Sequence, residues 1–273
     1  MESIEHVFTD LDGTLLNDAG EITAYTQAVL KNCPLPISLV SARSPQAMQP
    51  LIAQLDLKAE QVAFNGALIF DEKGLLKKFS LPLSLTDRLV REIKNRYPQV
   101  NLSYFTAQDW YIEQMDERIV QEMQFTPQIP KKVDLLAHLQ DLAKNNETEE
   151  IFKLLLILPD DSHLEEVKQD LEVLNFTEIV IQKTWTSYLE ITLKSAQKSK
   201  AIAWIAQQKG LKNTALAAFG DNENDLSMLR SVGLPIAVAN ASLAVKKVSH
   251  YMTSSNNEEG VAKGLQKYIL RET

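Results

Sequence analysis

Cysteine occurs once in the 273 residues, at Cys33. A single thiol excludes an internal disulfide and any metal site built from several thiolates, and it fits a reducing, cytoplasmic setting. Histidine is nearly as scarce. His6, His138, His163 and His250 stand far apart with no ligand spacing, so they are expected to be structural or exposed rather than metal-binding. Apolar runs such as residues 154–158 are far too short to cross a bilayer, and the N-terminus shows no basic stretch followed by an apolar core, so neither a membrane partner nor a signal peptide is expected. Positive charge is in deficit, with 28 Lys and Arg against 36 Asp and Glu and a net charge of -8. That balance argues against a nucleic-acid partner, which requires a basic footprint. A phosphorylated small substrate stays compatible, because a local cation and a lysine can reverse the field in one pocket. Internal repeats and low-complexity segments are lacking too, and nothing implies a protein partner.

What is present is an ordinary globular composition, 45% hydrophobic and 23% charged, enough for one large core or two modest ones. Strands and helices alternate at the start. Residues 7–9 and 37–40 read as strands, 22–30 as a helix, and 45–54 as a helix opened by Ser44-Pro45. Residues 62–64 and 67–70 flank Asn65-Gly66, a hairpin signal, and 71–74 reads as the next turn. The middle differs. A helix over 84–97, strands over 100–105, 110–113 and 151–158, an amphipathic helix over 161–174 and strands over 179–181 and 188–191 form an α+β set, with a polar loop at 145–150. From Lys198 the first rhythm returns, with a helix over 201–209 closed by Gly210, a strand over 216–219, a helix over 224–232, a strand over 236–238 and a helix over 260–270. The pattern predicts an α/β protein: a Rossmann-like parallel-sheet core from residues 1–81 and 192–273, interrupted by an inserted α+β cap domain over 82–191.

The first strand runs into Asp10-Leu11-Asp12-Gly13-Thr14. Two carboxylates two residues apart, followed by a glycine turn and a hydroxyl, suit the holding of a divalent cation against a phosphate while one carboxylate attacks phosphorus. From average residue frequencies, Asp-x-Asp-Gly-Thr arises by chance in roughly a few per thousand chains of this length. Three more polar segments follow predicted strands or open a helix: Ser41-Ala42-Arg43, Lys198, and Gly220-Asp221-Asn222-Glu223-Asn224-Asp225. Ligands of open parallel sheets bind beyond the carboxyl ends of the strands, so all four segments are expected to meet in one cleft. Blander readings stand beside these. Asp and Asn cap helices anyway, Lys198 is flanked by Lys194 and Lys200, Asn65-Gly66 reads first as a structural turn, and Arg43 suits either a phosphate contact or a salt bridge.

Together these segments resemble the haloacid dehalogenase superfamily of phosphotransferases, and within it the Cof-type sugar-phosphatase group with a large cap inserted between the second and third motifs. Asp10 to Thr14 matches the first motif, Ser41 the second, Lys198 the third, and Gly220-Asp221 through Asn224-Asp225 the fourth. Asn65-Gly66-Ala67, Asn240-Ala241 and Asn257 to Val261 also look like recurring segments of that group. The chain departs from it at Ser41-Ala42-Arg43, where Thr-Gly-Arg is common, at Ser199, where glycine is usual, and at Val238-Ala239-Asn240.

The resemblance implies a Mg²⁺-dependent phosphatase acting on a small phosphorylated metabolite, foremost a sugar phosphate, through an aspartyl-phosphate. Asp10 is then the nucleophile, one of its oxygens attacking while the other binds the metal, and Asp12 the general acid and base, its backbone carbonyl also on the metal. Asp221 completes the protein's share of the metal shell, and Asp225 belongs to the metal site as well, either touching the metal or orienting a metal-bound water or Lys198. Lys198 balances the charge of Asp10 and the phosphate, which Ser41, Ala42 and Asn224 hold. The cap is expected to close over the cleft and select the leaving group. A phosphomutase using the same intermediate, or a non-catalytic phosphoryl-accepting switch, is the competing expectation.

Overall fold

Apolar segments at both ends of the chain pair with one another in the computed structural model, which describes residues 3–126, 128–145 and 149–271. In chain order the elements are β1 (His6–Thr9), α1 (Ala24–Lys31), β2 (Ile37–Leu39), α2 (Pro45–Leu55), β3 (Gln61–Ala63), β4 (Leu68–Asp71), β5 (Gly74–Lys78), α3 (Leu83–Arg96), β6 (Asn101–Thr106), β7 (Trp110–Ile112), α4 (Glu117–Phe125) and β8 (Lys131–Lys132). They continue with α5 (Leu135–Lys144), β9 (Ile151–Ile157), α6 (Leu164–Val173), β10 (Ile179–Trp185), β11 (Tyr188–Leu193), α7 (Lys198–Lys209), β12 (Leu216–Gly220), α8 (Leu226–Leu229), β13 (Leu234–Ala237), α9 (Leu243–Val248), β14 (Tyr251–Met252) and α10 (Gly260–Gly264). The described residues fall into two compact units, one within 3–42, 48–77 and 197–271, the other within 43–47 and 78–196.

In the first unit a five-stranded sheet runs in the order β14-β13-β12-β1-β2, parallel throughout. Val7 and Phe8 of β1 and Leu216 to Phe219 of β12 are all buried. Near-continuous burial of this kind marks parallel strands covered on both faces. Because all the strands point the same way, the residues following β1, β2 and β12 emerge at one edge of the sheet. A small sheet β3-β4-β5 lies beside β2, joined to it by the bridge Val40–Val62 and by the Ser41 amide, which donates to the Val62 carbonyl at 2.9 Å.

The second unit is built on a six-stranded sheet, β10-β11-β9-β6-β7-β8, antiparallel except for β7 against β8. Leu89 and Ile93 of α3, Leu135 and Leu139 of α5, and Val167 and Leu171 of α6 pack with Leu102, Tyr104, Leu154, Leu156 and Ile191 in one core. Lys153 is the polar exception in the buried strand β9, paired with Glu190 at 2.7 Å. Among the described residues no helix is long and apolar enough to cross a membrane.

The α/β class with a parallel-sheet core agrees with the sequence expectation, and several element bounds differ. The helix expected over 224–232 is a single 3-10 turn at Glu223–Asp225 followed by the short α8. There Asn222 and Asp225 cap each other's backbone. The helix expected over 260–270 changes at Leu265 from α to π geometry. Residues 146–148 of the expected polar loop lie outside the described residues.

Candidate active site

Asp10 extends β1 by one step, its amide donating to the Phe219 carbonyl of β12 at 3.1 Å. The chain then turns sharply. The Leu11 carbonyl accepts from the amides of Thr14, Leu15 and Leu16, and Gly13 adopts φ +81°, a conformation that glycine reaches without steric penalty. A Cβ on Gly13 would stand 2.7 Å from Asp221 Oδ2. The turn is therefore closed against the fourth predicted segment. Thr14 seals it from the other side, its hydroxyl donating to Asp221 Oδ1 at 2.7 Å. The Asn240 amide donates to the Gly13 carbonyl at 2.7 Å. Behind it, Asn256 takes the Asn240 Oδ1 on its amide N–H and donates from its side chain to the Leu16 carbonyl and to Asp18.

Lys198 is the first residue of α7, and the structure separates it from its neighbours in sequence. Lys194 and Lys200 are exposed, whereas Lys198 is 1% exposed. Its ammonium donates to Asp10 Oδ1 at 2.5 Å and to Asp225 Oδ1 at 2.7 Å. Asp225 is wholly buried, and its second oxygen accepts from the amides of Asp221 and Asn222 at 2.9 and 3.1 Å. One aspartate thus holds both the lysine and the turn that presents Asp221.

Carboxylate oxygens of Asp10, Asp221 and Asp225 lie within 4.8 Å of one another, with one ammonium among them. Burial, then the neighbouring Asp225 carboxylate, raises the Asp10 pKa well above the ordinary range. Asp221 is pushed up to about 6, chiefly by burial and by Asp225, against the hydrogen bond from Thr14. Burial opposes the charge on Lys198, but Asp10 and Asp225 outweigh it and raise its pKa, so the lysine stays charged. The cluster carries more negative charge than its single lysine balances. Closely spaced oxygen donors with surplus negative charge fit a hard divalent cation such as Mg²⁺.

The other expected residues stand around this cluster. The Asp12 side chain is exposed, and its charge acts on both Asp10 and Asp221. Ser41 is buried and Ala42 half-buried, two and three residues beyond the end of β2. The Asn224 amide donates to Asn65 Oδ1 at 3.3 Å. Sequence reasoning left Thr14 and Asn240 without a role, although Thr14 sits inside the first motif and Asn240 in a segment already noted. It read Asn65-Gly66 first as a structural turn, with the lining of the cleft as the second reading. Phe64 and Asn65 both adopt positive φ, +51° and +55°, and Gly66 follows at +105°. Non-glycine residues held there cost about 1–3 kcal/mol each, a strain that the surrounding contacts must offset.

Comparison with known proteins identifies the family. A family model described as haloacid dehalogenase-like hydrolase matches residues 7–265. A Haemophilus influenzae protein provisionally named a phosphatase is 29% identical over 94% of this chain and 95% of its own length. A Bacillus subtilis protein, 5-amino-6-(5-phospho-D-ribitylamino)uracil phosphatase YitU, is 26% identical over 95% of this chain and 96% of its own. Among solved structures, a haloacid dehalogenase-like hydrolase from Bacteroides thetaiotaomicron shares the fold at a TM-score of 0.87 and 22% identity, covering 97% of this chain and 99% of that one.

Proposed function

The chain belongs to the haloacid dehalogenase-like hydrolase family, and from that premise we propose that it is a Mg²⁺-dependent phosphatase that hydrolyses a small phosphorylated metabolite, foremost a sugar phosphate, through an aspartyl-phosphate. One observation carries the reading: the ammonium of Lys198 is held between Asp10 and Asp225 in the same buried cluster as Asp221. The Bacillus subtilis relative is named for a phosphorylated ribityl compound, which supports a small polyol-bearing substrate. The single cysteine supports a cytoplasmic enzyme. Every member of the cluster belongs to the first unit, which is accordingly the catalytic domain, and the inserted residues 82–191 are the cap domain.

Phosphate-monoester hydrolysis is among the slowest uncatalysed reactions, and the work of the site is to position groups and neutralise charge. Asp10 is the nucleophile. Lys198 holds its Oδ1, which leaves Oδ2 to attack phosphorus. As the new O–P bond forms, the bond to the leaving oxygen breaks, and Asp12 protonates that oxygen. The exposure of the Asp12 side chain leaves it accessible for this proton transfer. Water then attacks the phosphoryl group, Asp12 takes its proton, and inorganic phosphate leaves with Asp10 restored. Asp10, Asp12 and Asp221 are the residues that would hold Mg²⁺, with Asp225 acting on the set through its hydrogen bonds. When bound, the ion supplies charge neutralisation for the carboxylates and the phosphoryl oxygens. Ser41, the Ala42 amide and Asn224 hold the phosphoryl oxygens.

Asp10→Asn tests the reading. It is expected to reduce release of inorganic phosphate from p-nitrophenyl phosphate to background while the protein stays folded, and full activity in that variant would remove Asp10 as nucleophile. A panel of sugar phosphates, nucleotides and pyridoxal phosphate, with and without Mg²⁺, identifies the substrate class.

A further inference from the structure

The turn between β3 and β4 touches three separate segments that carry proposed catalytic and binding residues. The Asn65 amide donates to the Ser41 carbonyl at 2.8 Å. The Asn65 side-chain oxygen accepts from the Asn224 amide at 3.3 Å, across 159 residues of sequence. Gly66 lies so close to the start of α7 that a Cβ there would stand 2.4 Å from the Gln197 carbonyl and 2.9 Å from the Lys198 nitrogen. A hairpin needs none of this. An Asn-Gly pair alone reverses the chain, with its side chains in solvent. Here Phe64 is also held at positive φ, and Asn65 is only 5% exposed. Such a conformation persists only where the surroundings over-determine it, and it clusters at functional sites.

We propose that Asn65 is a positioning residue for phosphate binding, acting through Ser41 with its main chain and through Asn224 with its side chain. The proposal rests on the phosphatase reading of the same site. Its physical content lies in the Ser41–Ala42 peptide. That unit is planar and trans, so its C=O and N–H point in opposite directions. By holding the Ser41 carbonyl, the Asn65 amide fixes the direction of the Ala42 N–H, one of the groups assigned to the phosphoryl oxygens. The Asn65 side chain meanwhile holds Asn224, a second such group, in register with the first. Because Gly66 abuts the residue that starts α7, the same turn references both groups to Lys198. Asn65 contacts neither the nucleophile nor the metal-holding carboxylates in this scheme, so its removal weakens phosphate binding more than it slows turnover.

Asn65→Gly is the clean variant, since glycine keeps the positive φ and only the carboxamide is lost. The readouts are KM and kcat for p-nitrophenyl phosphate and the Ki of inorganic phosphate as a competitive inhibitor. Asn65→Gly is expected to raise KM and Ki together by about five- to tenfold, with kcat within twofold of the parent. In combination with Asn224→Ala it is expected to add less than twofold to the Ki of Asn224→Ala alone, because the side-chain effect passes through that residue. A Ki for Asn65→Gly within twofold of the parent, a loss confined to kcat, or a double variant whose Ki rises by the product of the two single effects would each overturn the proposal. Should Asn65→Gly melt below the assay temperature, Asn65→Ser replaces it and is scored by the same outcomes. The Ki is read on active enzyme whichever carboxylate attacks. Activity surviving in Asp10→Asn would therefore strike the mechanism and leave the Asn65 result standing by itself.

Discussion

The Lys198 ammonium donates to Asp10 Oδ1 across 188 residues of sequence, at 2.5 Å, and both side chains are almost wholly buried. The pair joins the start of α7 to the end of β1 and so fixes where a charge-balancing cation sits relative to the proposed nucleophile. Asp225 completes it by accepting from the same ammonium.

Lys198→Met, a replacement of similar volume, leaves Asp10 and Asp225 buried without their shared cation. Removing one partner of a buried ion pair costs about 3–5 kcal/mol. Urea unfolding at pH 7.5 is expected to show a loss of that order, smaller at pH 5, where the stranded carboxylates take up protons. Hydrolysis of p-nitrophenyl phosphate is expected to fall by about 10²-fold or more, as for loss of a preorganised charge-stabilising group. A variant as stable and as active as the parent would show that Lys198 is dispensable to both fold and chemistry.

Stability should respond to pH through Asp221. Its pKa is raised from an ordinary 3.8 to about 6, so the native state binds this proton more tightly than the unfolded chain does. Raising the pH through that window therefore removes stability, the reverse of a salt-bridged carboxylate. At about 1.4 kcal/mol per pKa unit, the loss between pH 4 and pH 6 is on the order of 2–3 kcal/mol. Asp18, Asp116 and Asp134, whose pKa values are lowered, act in the opposite sense. The measurement is accordingly the difference between parent and Asp221→Asn in the presence of a chelator. The stability gained by Asp221→Asn relative to the parent should grow from pH 4 to pH 6, and a flat difference would contradict the raised pKa.

Mg²⁺ is expected to reverse that penalty. An ion that binds only the folded state stabilises it by about 2.7 kcal/mol at one hundred times its Kd. The melting temperature of the parent should thus climb with Mg²⁺ concentration, that of Asp221→Asn should stay nearly flat, and activity should vanish in chelator and return with Mg²⁺. A melting temperature indifferent to Mg²⁺ in the parent would remove the metal from the scheme.

Much of this site was legible in the sequence because its residues follow strands whose apolar runs are continuous. Parallel packing then places Asp10, Ser41 and Asp221 at one edge whatever the intervening length. The pairing of Lys198 with Asp10, and with Asp225 as one of two roles for that residue, was legible only through the family resemblance. That Asp225 binds the lysine with one oxygen and two backbone amides with the other joins a local capping box to a side chain 27 residues away, and only the local half is written in the sequence around it. Asn65 was hidden for a related reason. Asn-Gly signals a turn equally well whether its side chains face solvent or bury against Asn224 and α7. Helices α4, α5 and α9 escaped notice although Asp116, Asp134 and Ser242 cap them, each accepting from an amide three residues on. Their apolar faces are short and interrupted by charge, so periodicity alone does not raise them above the surrounding polar chain.

Gly13 and Gly20 offer a controlled comparison of shape against backbone. Both hold positive φ, +81° and +74°, but a Cβ on Gly20 meets nothing within 4 Å, whereas one on Gly13 stands 2.7 Å from Asp221 Oδ2. Alanine at either site carries the cost of a left-handed conformation, about 1–2 kcal/mol. Gly20→Ala should show that loss alone, with the Mg²⁺ requirement and kcat unchanged. Gly13→Ala should show it too, and in addition drive Asp221 from its place between Thr14 and the backbone turn. Its Mg²⁺ concentration for half-maximal activity is expected to rise by about tenfold, since displacing one charged ligand by a fraction of an ångström is worth on the order of 1.4 kcal/mol. Equal Mg²⁺ requirements in the two variants would mean that Asp221 shifts without consequence, and that the close approach of Gly13 serves the turn rather than the metal.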